Sequence, residues 1–350
     1  MRGLFCFWAK KLTKTHYLAL MVILGIETSC DETAASVLSD GKIRSNIIAS
    51  QAVHETFGGV VPELASRAHH KTIWQTVNQS LHEADTTMEK IDAIAVTQGP
   101  GLMGSLLVGL SFAKGLAISA SKPIIGVNHI DAHMYANFIE HDEVYPFVAL
   151  IVSGGHTRLV YVEKIFSHEI LGDTRDDAAG EAFDKIGKIL GLPYPAGPQV
   201  DKRSKNGDPS FHDFPRSMIN KGLDFSFSGL KTSVLYYTQE MGEGYVQDNL
   251  DDICASVSAA ITDVLTAKVK RAVKLTGVKH VMLAGGVSAN SMLRSKMDAL
   301  ATKLDLNLMI PSVQYCTDNA AMIAKTGELK AREGLFDSLE IKPFARIEVI

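Results

Sequence analysis

The sequence predicts an α/β protein made of two similar halves. Two observations carry this. An apolar run, a polar tip and a second apolar run occupy residues 22–26, 27–33 and 34–38, and the same order returns at 147–152, 153–157 and 159–162. Each opening is followed by strand-like and helix-like segments in alternation, as layered α/β folds require. A duplicated α/β unit creates a cleft between its halves, where small molecules usually bind.

The elements follow in order. Residues 22–26 and 34–38 read as a hairpin with a polar tip, and Asp40-Gly41 turns the chain after it. Residues 63–83 suit an amphipathic helix. A buried strand over 91–96 runs into Gly99-Pro100-Gly101 and a small-residue helix over 105–120, and 123–127 is another strand. In the second half, a stretch rich in Gly, Pro, Asp and Lys covers about 172–229. A helix over 253–275, a strand over 278–284, a helix over 291–300 and a last helix over 319–332 complete the pattern.

With 350 residues, 46% hydrophobic and 21% charged, the chain has room for two domains with proper cores. The net charge of −4 gives no global attraction to nucleic acid, so any RNA contact needs a local basic patch. Cys6, Cys30, Cys254 and Cys316 show no C-x-x-C spacing, which argues for reduced thiols rather than a disulfide framework. No stretch reads as long and apolar enough to span a bilayer. Residues 1–20 carry Arg2, Lys10, Lys11 and Lys14 without an acid. They lack the serines of a transit peptide, so they are expected to be a disordered extension or a start-site artefact ahead of Met21.

Several constellations carry chemistry. In His129-Ile130-Asp131-Ala132-His133 two histidines stand one helical turn apart and can aim at one metal ion. Asp318, in Tyr315-Cys316-Thr317-Asp318-Asn319, is a candidate third ligand. Helix packing or capping is the plainer role for such a pair. Ser153-Gly154-Gly155-His156-Thr157 can turn backbone N–H groups toward an anion, or be an ordinary hairpin turn. Gly285-Gly286-Val287-Ser288-Ala289-Asn290 lies between a strand and a helix, a context in which nucleotides sit. Asn290 can reach a ribose or base edge there, or serve as an N-cap. Asp184 stands one turn beyond Gly180, where it can hold a hydroxyl or ribose, while Asp176 and Asp177 compensate a helix dipole. Residues 195–201, from Pro195 through Gly197 to Asp201, read as a rigid turn lining a pocket. Basic and aromatic residues interleave from Lys202 to Lys231, a composition suited to RNA but more typical of a solvated, partly folded loop.

Hydrolytic motifs are absent. Ser153 lacks a Gly-x-Ser-x-Gly elbow. Ile130 stands where a His-Glu-x-x-His protease has its glutamate.

Taken in order, many stretches resemble one family: 25–33, 58–67, 99–101, 129–133, 152–157, 177–185, 225–232, 285–290 and 317–319. The chain resembles the tRNA N6-adenosine threonylcarbamoyltransferases of the TsaD type, once described as O-sialoglycoprotein endopeptidases. The resemblance implies an actin/Hsp70-like ATPase fold, with two RNase H-like domains around a nucleotide cleft. The expected division is 21–140 plus 318–350 for the first domain, and 141–317 for the second with a basic insert about 200–230. The resemblance implies one divalent metal, iron in bacterial members, on His129, His133 and Asp318. It implies that Ile151, Val152, Ser153, Gly154, Gly155, Asp184, Gly197, Asp201 and Asn290 bind threonylcarbamoyl-AMP. The expected reaction moves the threonylcarbamoyl group to N6 of the adenosine 3′ of the anticodon in tRNA, with Asp31 or Glu32 as acid–base group. Expected partners are tRNA, a paralogous TsaB-type subunit and a small TsaE-type ATPase, in the cytoplasm and without a membrane; mitochondrial relatives act as homodimers. The rival readings are a metal-dependent glycoprotein endopeptidase and a non-catalytic nucleotide-binding scaffold.

Overall fold

A computed structural model describes residues 21–51 and 59–346. The expected N-terminal extension lies outside the described residues. Two compact units emerge: residues 21–51, 62–132 and 319–346 form one, and 59–61 with 133–318 the other.

The first unit is built on a five-stranded sheet. Its strands are β1 (Val22–Glu27), β2 (Glu32–Ser39), β3 (Lys42–Ser50), β4 (Ala93–Gly99) and β5 (Ile124–Asn128), in spatial order β3-β2-β1-β4-β5. The β1–β2 and β2–β3 pairs are antiparallel, and β4 and β5 join in parallel. Successive side chains on β1 face opposite ways. Leu24 and Ile26 enter a core with Ile73, Val77 and Leu110, from helices α1 (Pro62–Glu83) and α2 (Met103–Ala120). Between them Gly25 lies against Ala320 and Ala324 of the last helix, Ala320–Arg332, so both faces of the sheet are covered. Burial on both faces explains why β1 and β4 read as continuous apolar runs.

Helix α2 corrects one expectation. Its 18 residues carry a single charge, Lys114, and are long and apolar enough by length and composition to cross a membrane. Here Leu106, Leu110, Ala113 and Ala117 are buried within the unit, while Met103, Leu107 and Ile118 are exposed.

The second unit repeats the plan. Its strands β6 (Phe147–Val152), β7 (Thr157–Lys164), β8 (Ser167–Asp173), β9 (His280–Ala284) and β10 (Asn307–Met309) lie in the order β10-β9-β6-β7-β8. Counted along each unit, both sheets have the order 3-2-1-4-5 with the same parallel and antiparallel neighbours. Helix α3 (His129–Tyr135) follows β5 directly, with the Asn128 side chain accepting the N–H groups of Ile130 and Asp131 at 2.8 and 3.2 Å. The remaining α-helices among the described residues are α4 (Ala179–Ile189), α5 (Ala196–Ser204), α6 (Ser228–Met241), α7 (Glu243–Asp248), α8 (Leu250–Thr276), α9 (Ser291–Leu304) and α10, the last helix of the first unit.

The basic stretch is folded, against the expectation of a solvated loop. Phe214, Phe225 and Phe227 are buried in the core of the second unit with Val148, Leu150 and the apolar face of α8. His212 packs on the rings of Phe214 and Tyr237, with centroids 4.4 and 4.3 Å away. Burial of these rings removes them as platforms for bases. Residues 195–201 are likewise no loop: they begin α5, with Pro195 as its N-cap residue. Proline suits a helix start because the first N–H groups have no partner in the helix.

Candidate functional site

The carboxyl ends of β6 and β9, adjacent parallel strands, bring two glycine turns together. Open α/β sheets bind ligands at this place, outside the strand ends. Gly285 has φ +85°, and a Cβ on it would stand 2.5 Å from the Val152 carbonyl oxygen. From the other side the first turn of α4 closes in, with Gly180 N–H donating to Ser153 O at 3.1 Å. Thr157 Oγ1 accepts the Ala179 N–H at 2.8 Å, which fixes the same helix end. Gly154 and Gly155, at the tip, face open space. The Ser153 N–H donates to His156 O at 2.8 Å, so the tip is a closed hairpin turn with two uncovered glycines. Ile151 and Val152 are fully buried strand residues, so only their backbone can serve a ligand.

Asp184, Asp201 and Asn290 prove to be anchors of this surround. Asp184 Oδ1 accepts the N–H groups of Ala196 and Gly197, at 2.8 and 2.9 Å, and so holds the start of α5. Burial pushes the Asp184 carboxyl above the usual aspartate range, against those two hydrogen bonds. Asp201 Oδ1 accepts both the N–H and the hydroxyl of Ser291, at 2.9 and 2.8 Å, tying α5 to the start of α9. The Asn290 side chain accepts the Leu293 N–H at 2.9 Å, the N-cap role. Among the described residues only its oxygen is engaged, which leaves the amide N–H groups as donors.

Charge next to α4 is largely neutralised internally. Asp177 is raised by burial, but its hydrogen bond to Lys185 and the charge of Lys231 outweigh this and hold it below the usual range. Lys185 Nζ lies 2.7 Å from Asp177 and 2.8 Å from Glu181. Asp176 departs from its expected role on the α4 dipole: its Oδ1 accepts the Phe227 N–H at 2.7 Å, at the start of α6.

His133 and Asp318, both of the second unit, stand beside this region. His133 is buried on α3, and its Nε2 lies 3.1 Å from Asp318 Oδ1. Thr317, next to Asp318, approaches Gly286 of the second glycine turn. Asn137, shortly after α3, donates to Leu283 O of β9 at 2.9 Å. His129 is one turn before His133, and one ligand atom from each of His129, His133 and Asp318 lies within 4.8 Å of the others. Two imidazoles and one carboxylate are the donor set of a divalent transition metal, including iron(II) with open positions.

Asp31 lies at the β1–β2 tip and Glu32 opens β2 opposite Ser50; both are partly exposed. The carboxylate that touches His129 is a different one, Glu27, at 3.1 Å from His129 Nδ1. Sequence reasoning missed it. The available signal was an acid closing an apolar strand, a place where a buried charge must have partners.

These relationships can be set beside known proteins. A family profile described as TsaD, tRNA N6-adenosine threonylcarbamoyltransferase, matches residues 42–325. The chain belongs to this family. A member from Salinibacter ruber is 54% identical over 320 residues, covering 90% of this chain and 96% of that protein. One from Thermosipho africanus is 47% identical over 332 residues, covering 94% and 100%. Among solved structures, component A of the Acidaminococcus fermentans (R)-2-hydroxyglutaryl-CoA dehydratase superposes with a TM-score of 0.54 at 16% identity, covering 89% of this chain and 99% of that one. T. kodakarensis HypF gives 0.62 at 13% identity, covering 91% of this chain and 48% of that one. At such identities these likenesses speak for the fold alone. It is the actin/Hsp70-like ATPase fold, with two RNase H-like sheets of identical order.

Proposed function

We propose that this TsaD-family chain transfers a threonylcarbamoyl group from threonylcarbamoyl-AMP to N6 of the adenosine 3′ of the anticodon, in tRNAs that read codons starting with adenine. The supporting observation is the family match over 42–325, joined to a His133–Asp318 pair whose neighbour Thr317 abuts the Gly286 turn. In this reading Ser153, Gly154 and Gly155 receive the donor's phosphate or developing oxyanion through backbone N–H groups. Asn290 donates to the ribose or base, and Asp184, Gly197 and Asp201 shape the wall behind it.

The chemistry is an acyl substitution. The adenosine N6 lone pair attacks the carbamoyl carbon, the bond from that carbon to the phosphate oxygen breaks, AMP leaves, and N6 gives up a proton. Asp31 and Glu32 are the proposed acceptors of that proton, being partly exposed carboxylates on the β1–β2 tip. His129, His133 and Asp318 would hold a divalent metal, iron in our proposal, which supplies Lewis-acid polarisation and positioning of the donor. The proposed partners are tRNA, a paralogous TsaB-type subunit and a small TsaE-type ATPase. A cytoplasmic location accords with Cys30, Cys254 and Cys316 as free thiols. The endopeptidase rival loses ground because no glutamate follows His129 to activate water.

Nucleoside analysis of tRNA tests the proposal. Cells depleted of this protein should lose the modified adenosine and regain it with the wild-type gene, but not with His133→Ala. Unchanged levels on depletion would overturn it.

A further inference from the structure

Glu27 is a fully buried carboxylate at the last position of β1. A buried charge is costly unless several groups satisfy it, and this one is closely held. Thr97 Oγ1 donates to Oε2 at 2.6 Å, and the Ser29 N–H donates to Oε1. The same Oε2 lies 3.1 Å from His129 Nδ1. Ser29 Oγ also lies 3.1 Å from that nitrogen. Two oxygens thus face Nδ1, one of them on a fixed anion.

From this we infer that Glu27 is the positioning residue for His129. Its carboxylate accepts the proton on Nδ1, fixes the imidazole as the Nδ1–H tautomer and turns the Nε2 lone pair outward as the metal-binding atom. A carboxylate behind a ligating histidine orients the ring and raises its basicity. Thr97 and the Ser29 amide hold the carboxylate in turn, so the orientation is set before any ion arrives. The β1 strand end and the first residue of α3 are therefore one functional element. Ser29 Oγ is secondary, since a neutral hydroxyl binds an N–H more weakly than a carboxylate does. This inference rests on the proposed ligand role of His129.

Cobalt(II) binding to the purified chain tests it. Affinity is read by competition with a chromophoric chelator, and geometry by the visible absorption of the bound ion. Glu27→Gln keeps the shape and removes the charge. It should weaken cobalt about 10–100-fold and alter the absorption bands. Ser29→Ala should change affinity less than about threefold, a small effect on the scale of one weak neutral hydrogen bond. His133→Ala serves as the control for the underlying reading: if it binds cobalt like the wild type, the metal proposal itself fails. If His133→Ala loses cobalt but Glu27→Gln keeps wild-type affinity and spectrum, the positioning role alone fails. Nitrogen-15 NMR of the metal-free wild type needs no variant. It should show His129 protonated on Nδ1, and a proton on Nε2 instead would overturn the inference.

Discussion

Gly180 lies so close to Ser153 that a side chain between them has no room: a Cβ on Gly180 would stand 2.5 Å from the Ser153 carbonyl oxygen and 2.9 Å from Gly154 Cα. Backbone on backbone cannot move aside as a side-chain tip can. Gly180→Ala should push α4 off the glycine turn, lowering stability by about 1–3 kcal/mol. If the turn holds the donor as proposed, binding of a non-hydrolysable threonylcarbamoyl-adenylate analogue should weaken at least about tenfold, the equivalent of 1.4 kcal/mol. Gly154→Ala makes the contrast. A Cβ there meets nothing within 4 Å, so melting should be unchanged and only analogue binding affected. Calorimetry and thermal melting of both variants check the pair; equal melting losses would refute the assignment.

Asp201 joins α5 to α9 through both hydrogen bonds to Ser291. Asp201→Ala should cost about 1–3 kcal/mol, because the Ser291 N–H and hydroxyl lose an acceptor in a partly buried place. Asp201→Asn keeps an acceptor oxygen and should recover most of that loss in urea unfolding. If the asparagine variant is as unstable as the alanine variant, charge rather than acceptor geometry holds α9 in place.

How much of this was legible follows burial. Strands β1, β4, β6 and β9 are buried on both faces and read directly as apolar runs ending in polar or glycine turns. Strands β3 and β8 went unread because they are edge strands: much of Lys42–Ser50 and Ser167–Asp173 is exposed, and no clean alternation survives. The insert misled for the opposite reason. Phe214, Phe225 and Phe227 lie among charged residues in sequence but point into the core, which composition cannot express. In the site, the His129/His133 spacing was visible because it is local and helical. The Glu27–His129 contact was not, since it joins positions 102 residues apart.

Metal removal should separate ligands from neighbours. On the proposed ligand set, His133→Ala and Asp318→Ala should each reduce bound divalent metal to a small fraction of the wild-type content, since two remaining donors rarely retain a transition metal against a chelator. Elemental analysis after dialysis reads the result. Asp131, between the two histidines in sequence, lies outside the donor group, and Asp131→Ala should leave the content unchanged. A loss in Asp131→Ala equal to that in His133→Ala would mean that α3 is disrupted rather than that a ligand is missing.

Lys268 adds a pH-dependent contribution to the stability of the second unit. It is fully buried on α8, and its ammonium donates to the carbonyls of Met218 and Lys221 at 2.6 Å and of Gly222 at 3.1 Å. Burial pulls its pKa down from 10.5 to about 8, helped by the nearby charge of Arg271 and opposed by Asp224. Below about pH 8 the folded and unfolded chains both hold the proton. Between about 8 and 10.5 the unfolded chain holds a proton that the folded one has released, so this group's contribution to stability rises with pH across that window. Lys268→Met should flatten the rise. The stability difference, wild type minus variant, should grow by about 2 kcal/mol between roughly pH 7.5 and 9.5, at about 1.4 kcal/mol per unit above the folded pKa. Urea unfolding of both proteins at the two pH values measures it; a difference that stays constant or shrinks would show that Lys268 keeps its proton throughout.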